Sequence, residues 1–422
     1  MMQMNKYLLG GVLTAFICAA MSFPVRAQTI KILFDATKAQ MAGNADWVID
    51  ADTHNLGYNS SGAMISGLGD ESNPQALPTP AQSGITASTA ETYWNGALSA
   101  WAVDCAKQGY TVETLPYNDS ITYGNMTHTR DLSKYDVYIV DEPNILFTPA
   151  EKNAIVKFVQ HGGGLFIISD HTNSDRNGDG YDSPYIWNDL FTTNTVQSNP
   201  FGTTFDLQDF SETSTNVANL PADSCLHGPK GNVSKIQYSN GTSMTLSTAN
   251  NASVKGLIYK TGASNTGTTQ VLFARSYYGS GKVCALGDSS PTDDGTGDSN
   301  DVLYNGYFGD ASGQHQYLLM NATIWLATKP QVAAGLQDAI PEGPVTLYPN
   351  PAKGEVHLTC SCATSNLHYS WTDIYGRTTA QGEMQTNTGD MVLTVPDTGS
   401  GFYFLCIQGD SFSVVRRILV RE

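Results

Sequence analysis

Positive charge is the scarcest feature of this chain. Lysine and arginine number 22 against 39 aspartates and glutamates in 422 residues, a net charge of −17. A surface of that sign repels phosphate backbones and anionic lipid. It excludes nucleic acid and membrane-surface binding as main roles and leaves neutral polymers, cations and metals. Charge of either sign is sparse, at 14%, while 41% of residues are hydrophobic. That composition excludes a disordered chain and supplies material for real cores. Beyond the N-terminus no stretch is long and apolar enough to span a bilayer. Cysteine is scarce and irregular: seven in all, Cys18 near the N-terminus, then Cys105, Cys225, Cys284, Cys360, Cys362 and Cys406. The spacing excludes a disulfide-framework domain and leaves the pairing open. Cys360-Ser361-Cys362 lacks the two-residue gap of zinc knuckles and redox motifs. It reads as strand, with one of the two a candidate partner for Cys406.

What is present begins with a targeting segment. Lys6, the apolar run Leu8–Ala20 and Val25-Arg26-Ala27 read as a secretory signal peptide over residues 1–27. The run is too short for a membrane anchor. The chain is expected to be exported, where disulfides are permitted. Its length favours two or three domains.

Strand and helix patterns alternate over residues 28–330. Lys31–Phe34 is a predicted strand ending at Asp35, followed by a long Gly, Ser, Asn and Pro-rich stretch, Ala36–Ser88, of the length expected for a lid or binding loop. Trp94, Ala97, Leu98, Trp101, Ala102 and Cys105 form a helical stripe over Thr89–Gln108, a core face. Further strands are expected at Tyr110–Leu115, Asp136–Val140, Leu165–Ser169, Gly256–Tyr259, Gln270–Arg275 and Lys282–Leu286. Thr148-Pro149-Ala150-Glu151 is a capping box opening a helix that stops at Gly162, and Tyr317–Leu326 reads as a closing helix. Apolar strands alternating with helices predict an α/β, doubly wound, flavodoxin-like and mostly parallel sheet. Residues 331–344 read as a linker. From residue 345 to 422, short alternating strands between turn signals predict a small all-β immunoglobulin-like sandwich.

The acids sit where strands end. Asp35, Asp141 and Glu142, Asp170 and His171, and Asp288 each follow a predicted strand. In a parallel sheet all six gather at one rim, where ligands of such sheets bind. Carboxylates brought that close hold a cation among them or keep a proton. Asp170, His171, Asp288 and Glu142 are the candidate catalytic residues, with His171 as base and an Asp as acid or partner. Asp35 and Asp141 are assigned to substrate. The alternative is a helix-capping Asp170 and a solvated His171. In the long stretch after the first strand, Asn44, Asp46, Trp47 and His54 are candidates for a polar pocket with one aromatic platform, as sugar sites have. A loop that buries Trp47 is the competing reading.

Asp175-Arg-Asn177-Gly-Asp179-Gly180-Tyr181 has acids or amides at positions one, three and five and glycine at six. This resembles the first half of an EF-hand or dockerin calcium loop. Asp175, Asn177, Asp179, Tyr181 and Asp182 are its candidate metal residues, for calcium or another hard divalent cation. No organic cofactor is expected. Ile186 stands where the twelfth-position Glu belongs, so a self-capping Asn/Gly/Asp turn is the alternative.

Two resemblances follow from longer runs. "FTPAEKNAIVKFVQHGGGLFIISDH", 147–171, with "GSGKVCALGDSS" and "YLLMNATIWLA" further on, resembles the class I glutamine amidotransferase-like fold, in its ThuA-like branch. That family's cysteine nucleophile follows the fourth strand. Here Asp170 and His171 stand there, so the resemblance implies the fold and not a glutaminase. A family histidine is replaced by Asp288. "LYPNPAKGEVHL", "DIYGRTTAQGE", "GFYFLCI" and the basic end "RRILVRE" resemble the type A sorting domain of the type nine secretion system. This implies a Gram-negative source, passage through the periplasm to the outside or the outer-membrane surface, and the secretion machinery as partner. The functional expectation is an exported hydrolase of an extracellular polymer, a glycan first, with esters and lyase chemistry open. The alternative is a calcium-stabilised surface module that binds glycan or protein without turning it over.

Overall fold

The computed structural model describes residues 29–43, 45–50, 82–117, 119–297, 304–309, 314–328, 345–360, 366–373, 377–385, 391–397, 399–408 and 413–421. The chain divides into two compact units, Met1–Thr328 and Lys329–Glu422. The signal peptide and linker expected from the sequence lie outside the described residues.

The first unit is built on strands β1 (Lys31–Asp35), β2 (Thr111–Leu115), β3 (Val137–Val140) and β4 (Gly164–Ile168), with helices α1 (Ser99–Lys107), α2 (Pro149–Gln160) and α3 (Ser183–Thr193) between or after them. Short strands follow: β5 (Thr203–Phe205), β6 (Phe210–Ser214), β7 (Asn216–Val217), β8 (His227–Gly228), β9 (Gly231–Asn232), β10 (Ile236–Gly241) and β11 (Met244–Leu246). Then come β12 (Lys255–Tyr259), β13 (Val271–Tyr278), β14 (Gly281–Leu286), the short α4 (Gly306–Gly309) and α5 (Gln314–Ala327). The main sheet runs β2-β1-β3-β4-β14-β13-β11-β5. β2, β1, β3, β4 and β14 are mutually parallel. β13, β11 and β5 extend the sheet antiparallel. The order 2-1-3-4 followed by β14 is that of a flavodoxin-like doubly wound sheet.

These strands form because their residues are apolar on both faces. β3 and β4 are buried at every position, as strands covered by helices on two sides must be. Trp101 of α1 packs edge-on against Phe34 and Phe166, with ring centroids at 5.5 and 5.2 Å. α2 starts where the sequence says it should. The Thr148 side chain accepts from the Glu151 N–H, and the Glu151 carboxylate accepts from the Thr148 N–H, a box worth about 1 kcal/mol.

The expected helix Thr89–Gln108 is cut short. A one-turn 3-10 segment spans Glu91–Tyr93 and α1 begins only at Ser99. The N–H groups of Ala97 and Leu98 donate instead to the carbonyls of Asp46 and Val48, both at 3.0 Å. A Cβ on Gly96 would meet the Val48 carbonyl oxygen at 2.5 Å. The segment is docked on a neighbouring loop, so its donors are not free for a helix. α1 borrows its cap from far away: Asp294 Oδ2 accepts from Ser99 Oγ at 2.6 Å and from the Ala100 N–H at 2.7 Å. The strands between β5 and β11 and helix α3 are absent from the sequence expectation. Each of these strands has only two to six residues, too few for a period to show.

The second unit contains β15 (Val345–Lys353), β16 (Glu355–Cys360), β17 (Asn366–Asp373), β18 (Thr378–Gln385), β19 (Met391–Thr394), β20 (Gly401–Gln408) and β21 (Ser413–Val420). They run in the order β18-β17-β20-β21-β15-β16-β19, nearly all antiparallel. Val356, Leu358, Leu367, Trp371, Leu405 and Ile407 form its core. β18 is the one strand here that the sequence reading missed. Its burial only alternates between intermediate and exposed, so it carries no apolar period.

Candidate functional site

β1, β3, β4 and β14 are parallel, so their carboxyl ends share one edge. From that edge Asp141 and Glu142 (after β3), Asp170 (after β4) and Asp288 (after β14) come together, each no more than 2% exposed. Asp293, 1% exposed, adds to the same field.

Arg176 is the cation placed among them. Its guanidinium bridges Glu142, with Nη2 3.2 Å from Oε2 and Nε bonded to Oε1, and lies 3.5 Å from Asp170 Oδ2. Ser289 Oγ donates to Glu142 Oε2 at 2.9 Å. Thr292 Oγ1 donates to Asp141 Oδ2 at 2.7 Å. Asp288 accepts from the Ser239 N–H at 2.6 Å, and from the Ser290 N–H and hydroxyl at 2.8 and 2.7 Å. Asp141 Oδ1 is buried with no hydrogen-bond partner among the described residues. Glu142 holds φ at +33°, a conformation costing about 1–3 kcal/mol that persists only where the surroundings impose it.

One arginine cannot neutralise five buried carboxylates. Burial pushes the Asp170 carboxyl well above the ordinary range, with Glu142 and Asp288 adding to it against Arg176. Burial does the same to Asp141, with Glu142, Asp288 and Asp293 adding to it against the Thr292 bond. Burial raises Asp288 to about 7, although the Ser290 and Ser239 donors pull it down. Burial takes Asp293 to about 6. Protons are therefore stored at this edge near neutral pH.

The consequence for stability has a definite sign. Above pH 4 the unfolded chain has released these protons, while the folded chain keeps them until pH passes about 6 for Asp293 and about 7 for Asp288. Their contribution is whole below the unfolded pKa and is lost as pH rises through the folded values. The melting temperature of the α/β unit is expected to be higher at pH 5 than at pH 8, with a slope of up to about 1.4 kcal/mol per pH unit for each group. Melting curves that are flat or rise across that interval would contradict the arrangement.

His171 is the member of the rim that reaches solvent, its side chain 22% exposed. Nδ1 lies 2.7 Å from the Thr172 carbonyl oxygen. That oxygen can only accept, so Nδ1 carries a proton, and in the neutral ring the lone pair is on Nε2. Nε2 faces Asp170 Oδ2 at 3.6 Å, and Asp209 Oδ2 lies 3.5 Å from Nδ1. A proton-holding carboxyl thus stands beside an accessible base.

The other expected residues lie elsewhere. Asp35 accepts from Thr37, Gln40 and Tyr138 at 2.9, 2.5 and 2.8 Å. Lys38, bridged to Glu151 at 2.7 Å, is its cation. It belongs to a separate polar cluster over the start of α2. Trp47 is 2% exposed in the core, with the Arg176 guanidinium 6.0 Å from its ring centroid, and Asp46 is equally buried. Trp47 therefore offers no open platform: the segment folds inward because its apolar residues join the main cluster. Asn44 and His54 lie outside the described residues.

The acidic loop also takes a shape different from the expected cation cage. Asp175 accepts from the N–H groups of Gly178, Asp179 and Gly180 at 2.8, 3.1 and 2.8 Å. Asp179 Oδ1 accepts from Tyr181 N–H at 2.9 Å, and Asn177 Oδ1 from Asp179 N–H at 3.3 Å. Asp182 caps α3 through the Tyr185 N–H at 3.1 Å and holds Thr172 and Asn173. Among the described residues no group of three or more His, Cys, Asp or Glu side chains has metal-holding geometry. The carboxylates serve backbone donors, as in a self-capping turn.

Sequence reasoning missed Arg176, Ser289 and Thr292 as parts of the site. Arg176 had a signal, being the only arginine or lysine between Asp170 and Asp189. A cavity of about 170 Å³ lies beside Asp288, lined by Ser239, Ser290, Gln237, Asn305 and the exposed Tyr304. Tyr304 feels the charges of Arg176, Asp170, Asp288 and Glu142, which places it over the same rim.

Residues 346–421 match the family of secretion system C-terminal sorting domains. The second unit is that domain, and it directs the chain out of the cell or to the outer-membrane surface. No curated protein matches the chain. Solved structures similar to it include a protein described as thua-like from Parabacteroides merdae, 12% identical, covering 71% of this chain and 91% of its own, TM-score 0.32. Cytoplasmic protein STM3548 from Salmonella typhimurium is 12% identical over 70% of this chain and 99% of its own, TM-score 0.36. Cytoplasmic protein STM1381 from the same species is 14% identical over 71% and 97%, TM-score 0.35. Likeness at this level says nothing about activity. No described helix is long and apolar enough to cross a membrane.

Proposed function

We propose that this chain is an exported hydrolase of an extracellular polymer, a glycan before an ester, with Asp170 as proton donor and His171 as base. One observation carries the reading: a buried carboxyl raised above its usual range stands 3.6 Å from an accessible imidazole nitrogen whose lone pair faces it. An acid that keeps its proton and a base in adjacent positions are what proton transfer at neutral pH requires. Asp288, at about 7, is the second proton-holding group. Glu142 fixes Arg176, whose guanidinium stands ready for negative charge that builds up near Asp170. The cavity beside Asp288 carries Ser239, Ser290, Tyr304, Asn305 and His315 in its lining, groups able to hydrogen-bond a hydroxyl-rich ligand.

A hard divalent cation at the loop of Asp175, Asn177, Asp179, Tyr181 and Asp182 is the second element of the proposal, and its binding requires those carboxylates to exchange the backbone N–H donors they hold for the ion.

The test is turnover by the exported protein on a panel of glycans and aryl esters, with and without calcium and a chelator. Hydrolysis of a glycan, with a pH optimum near neutrality, supports the reading. Binding on a glycan array with no turnover of any polymer replaces it with a surface binding module. A melting temperature and activity indifferent to calcium and chelator remove the cation and leave the hydrolase.

A further inference from the structure

Away from the rim, on the face of the sheet that α5 covers, two cysteines are brought together. Arg275 of β13 and Cys284 of β14 are directly opposite in an antiparallel pair, so their side chains share a face. Arg275 reaches Asp223, Nε to Oδ2 at 2.7 Å. Asp223 Oδ1 in turn accepts from the Cys225 N–H at 3.0 Å. That relay brings Cys225 beside Cys284, whose thiol feels the Cys225 side chain, and both are free thiols in this structure. Both residues are 0% exposed. Lys282, on the same face, is tied to the end of α5 through the Trp325 carbonyl at 2.7 Å.

We propose that Cys225 and Cys284 are joined by a disulfide in the mature protein, a staple between β14 and the segment leading into β8. The sorting domain sends the chain through an oxidising compartment. There the oxidant is the disulfide of a periplasmic thiol oxidoreductase. One cysteine thiolate attacks it to give a mixed disulfide, and the second thiolate displaces the oxidoreductase sulfur. The two cysteines lose two protons and two electrons, and the oxidoreductase leaves as a dithiol. Once the fold has closed, both sulfurs are out of reach and burial holds the Cys284 thiol well above its ordinary pKa. The bond is therefore made before the Cys225 segment settles on the sheet. The staple fixes β14, the strand that leads to Asp288, and so stiffens one wall of the rim.

Cys105 supplies an internal control. It is buried on α1 with its thiol 3.9 Å from Met320 Sδ, and no other described cysteine is its partner. The experiment uses the full chain exported through an oxidising periplasm, quenched in acid, unfolded and alkylated without reductant, then digested for mass spectrometry. The expected result is a cross-linked peptide pair containing Cys225 and Cys284, two hydrogens lighter than the sum, with Cys105 alkylated. Reductant is expected to lower the melting temperature by on the order of 5–10 °C. The Cys225→Ala/Cys284→Ala double variant should melt near the reduced wild type and ignore reductant. Alkylation of both Cys225 and Cys284 in the unreduced protein would overturn the proposal. So would a wild-type melting temperature that reductant leaves unchanged while the double variant falls, since that pattern belongs to packing alone. Neither result bears on hydrolysis.

Discussion

Replacing Asp170 by Asn is expected to lower kcat/KM on the polymer that the wild type turns over by about 10²–10⁴-fold, the usual contribution of a positioned acid or base. Asn keeps the volume and removes the transferable proton. Stability should hold or rise, because the carboxyl it replaces is buried against Glu142 and Asp288, and relieving such a site costs nothing in packing. His171→Ala should bring a loss of the same order with stability changed by about 1 kcal/mol or less, since its ring is partly in solvent. The two losses should not multiply in the double variant, because the groups act as one relay. The separating readout is the pH–rate profile: the limb due to Asp170 disappears in the Asn variant while melting is unaltered. Full turnover in both single variants would take the chemistry away from this pair.

Arg176→Ala carries the largest expected cost in stability. It strands Glu142, 0% exposed, and takes away the guanidinium that lies beside Asp170. Breaking a buried pair by removing one partner costs about 3–5 kcal/mol, because the survivor is left charged and desolvated. Removing both charges is different. The Arg176→Met/Glu142→Gln pair should recover most of that loss, since the ion pair's attraction roughly repays its own desolvation. Chemical unfolding of the three proteins, at constant pH and salt, checks this. If the double variant is as unstable as Arg176→Ala, the cost lies in packing of the long side chain, over Trp47 at 6.0 Å, and not in a stranded charge. The arginine variant should also steepen the fall in stability from pH 5 to pH 8, since Asp170 then loses the neighbouring positive charge that favours its ionised form and keeps only the His171 N–H.

The two units differ in how openly their sequences declare them. In the second, strands of eight residues such as β17 and β20 put apolar side chains on one face at period two, and the turn sequences match a family model over nearly the whole unit. In the first, runs such as Leu165–Ile168 are buried throughout and identify themselves as central strands without any partner being known. The position of acids just after such runs is equally a matter of sequence. Once the strands are parallel, the acids must share an edge.

Sequence alone thus determined the fold class, the C-terminal sorting domain, and the carboxylates from which the rim is drawn. Tertiary structure decided the membership. Asp35 ends a parallel strand like the others, yet a turn through Thr37 and Gln40 claims its oxygens. Arg176, in a loop with no periodicity, folds back onto Glu142, 34 positions earlier. Cys225 and Cys284 meet only because antiparallel register puts Cys284 opposite Arg275. The physical reason is one of range. Periodicity records which residues avoid water, a property of each short segment. Which polar groups face one another depends on register and loop closure between segments far apart in the chain, and no local pattern encodes that.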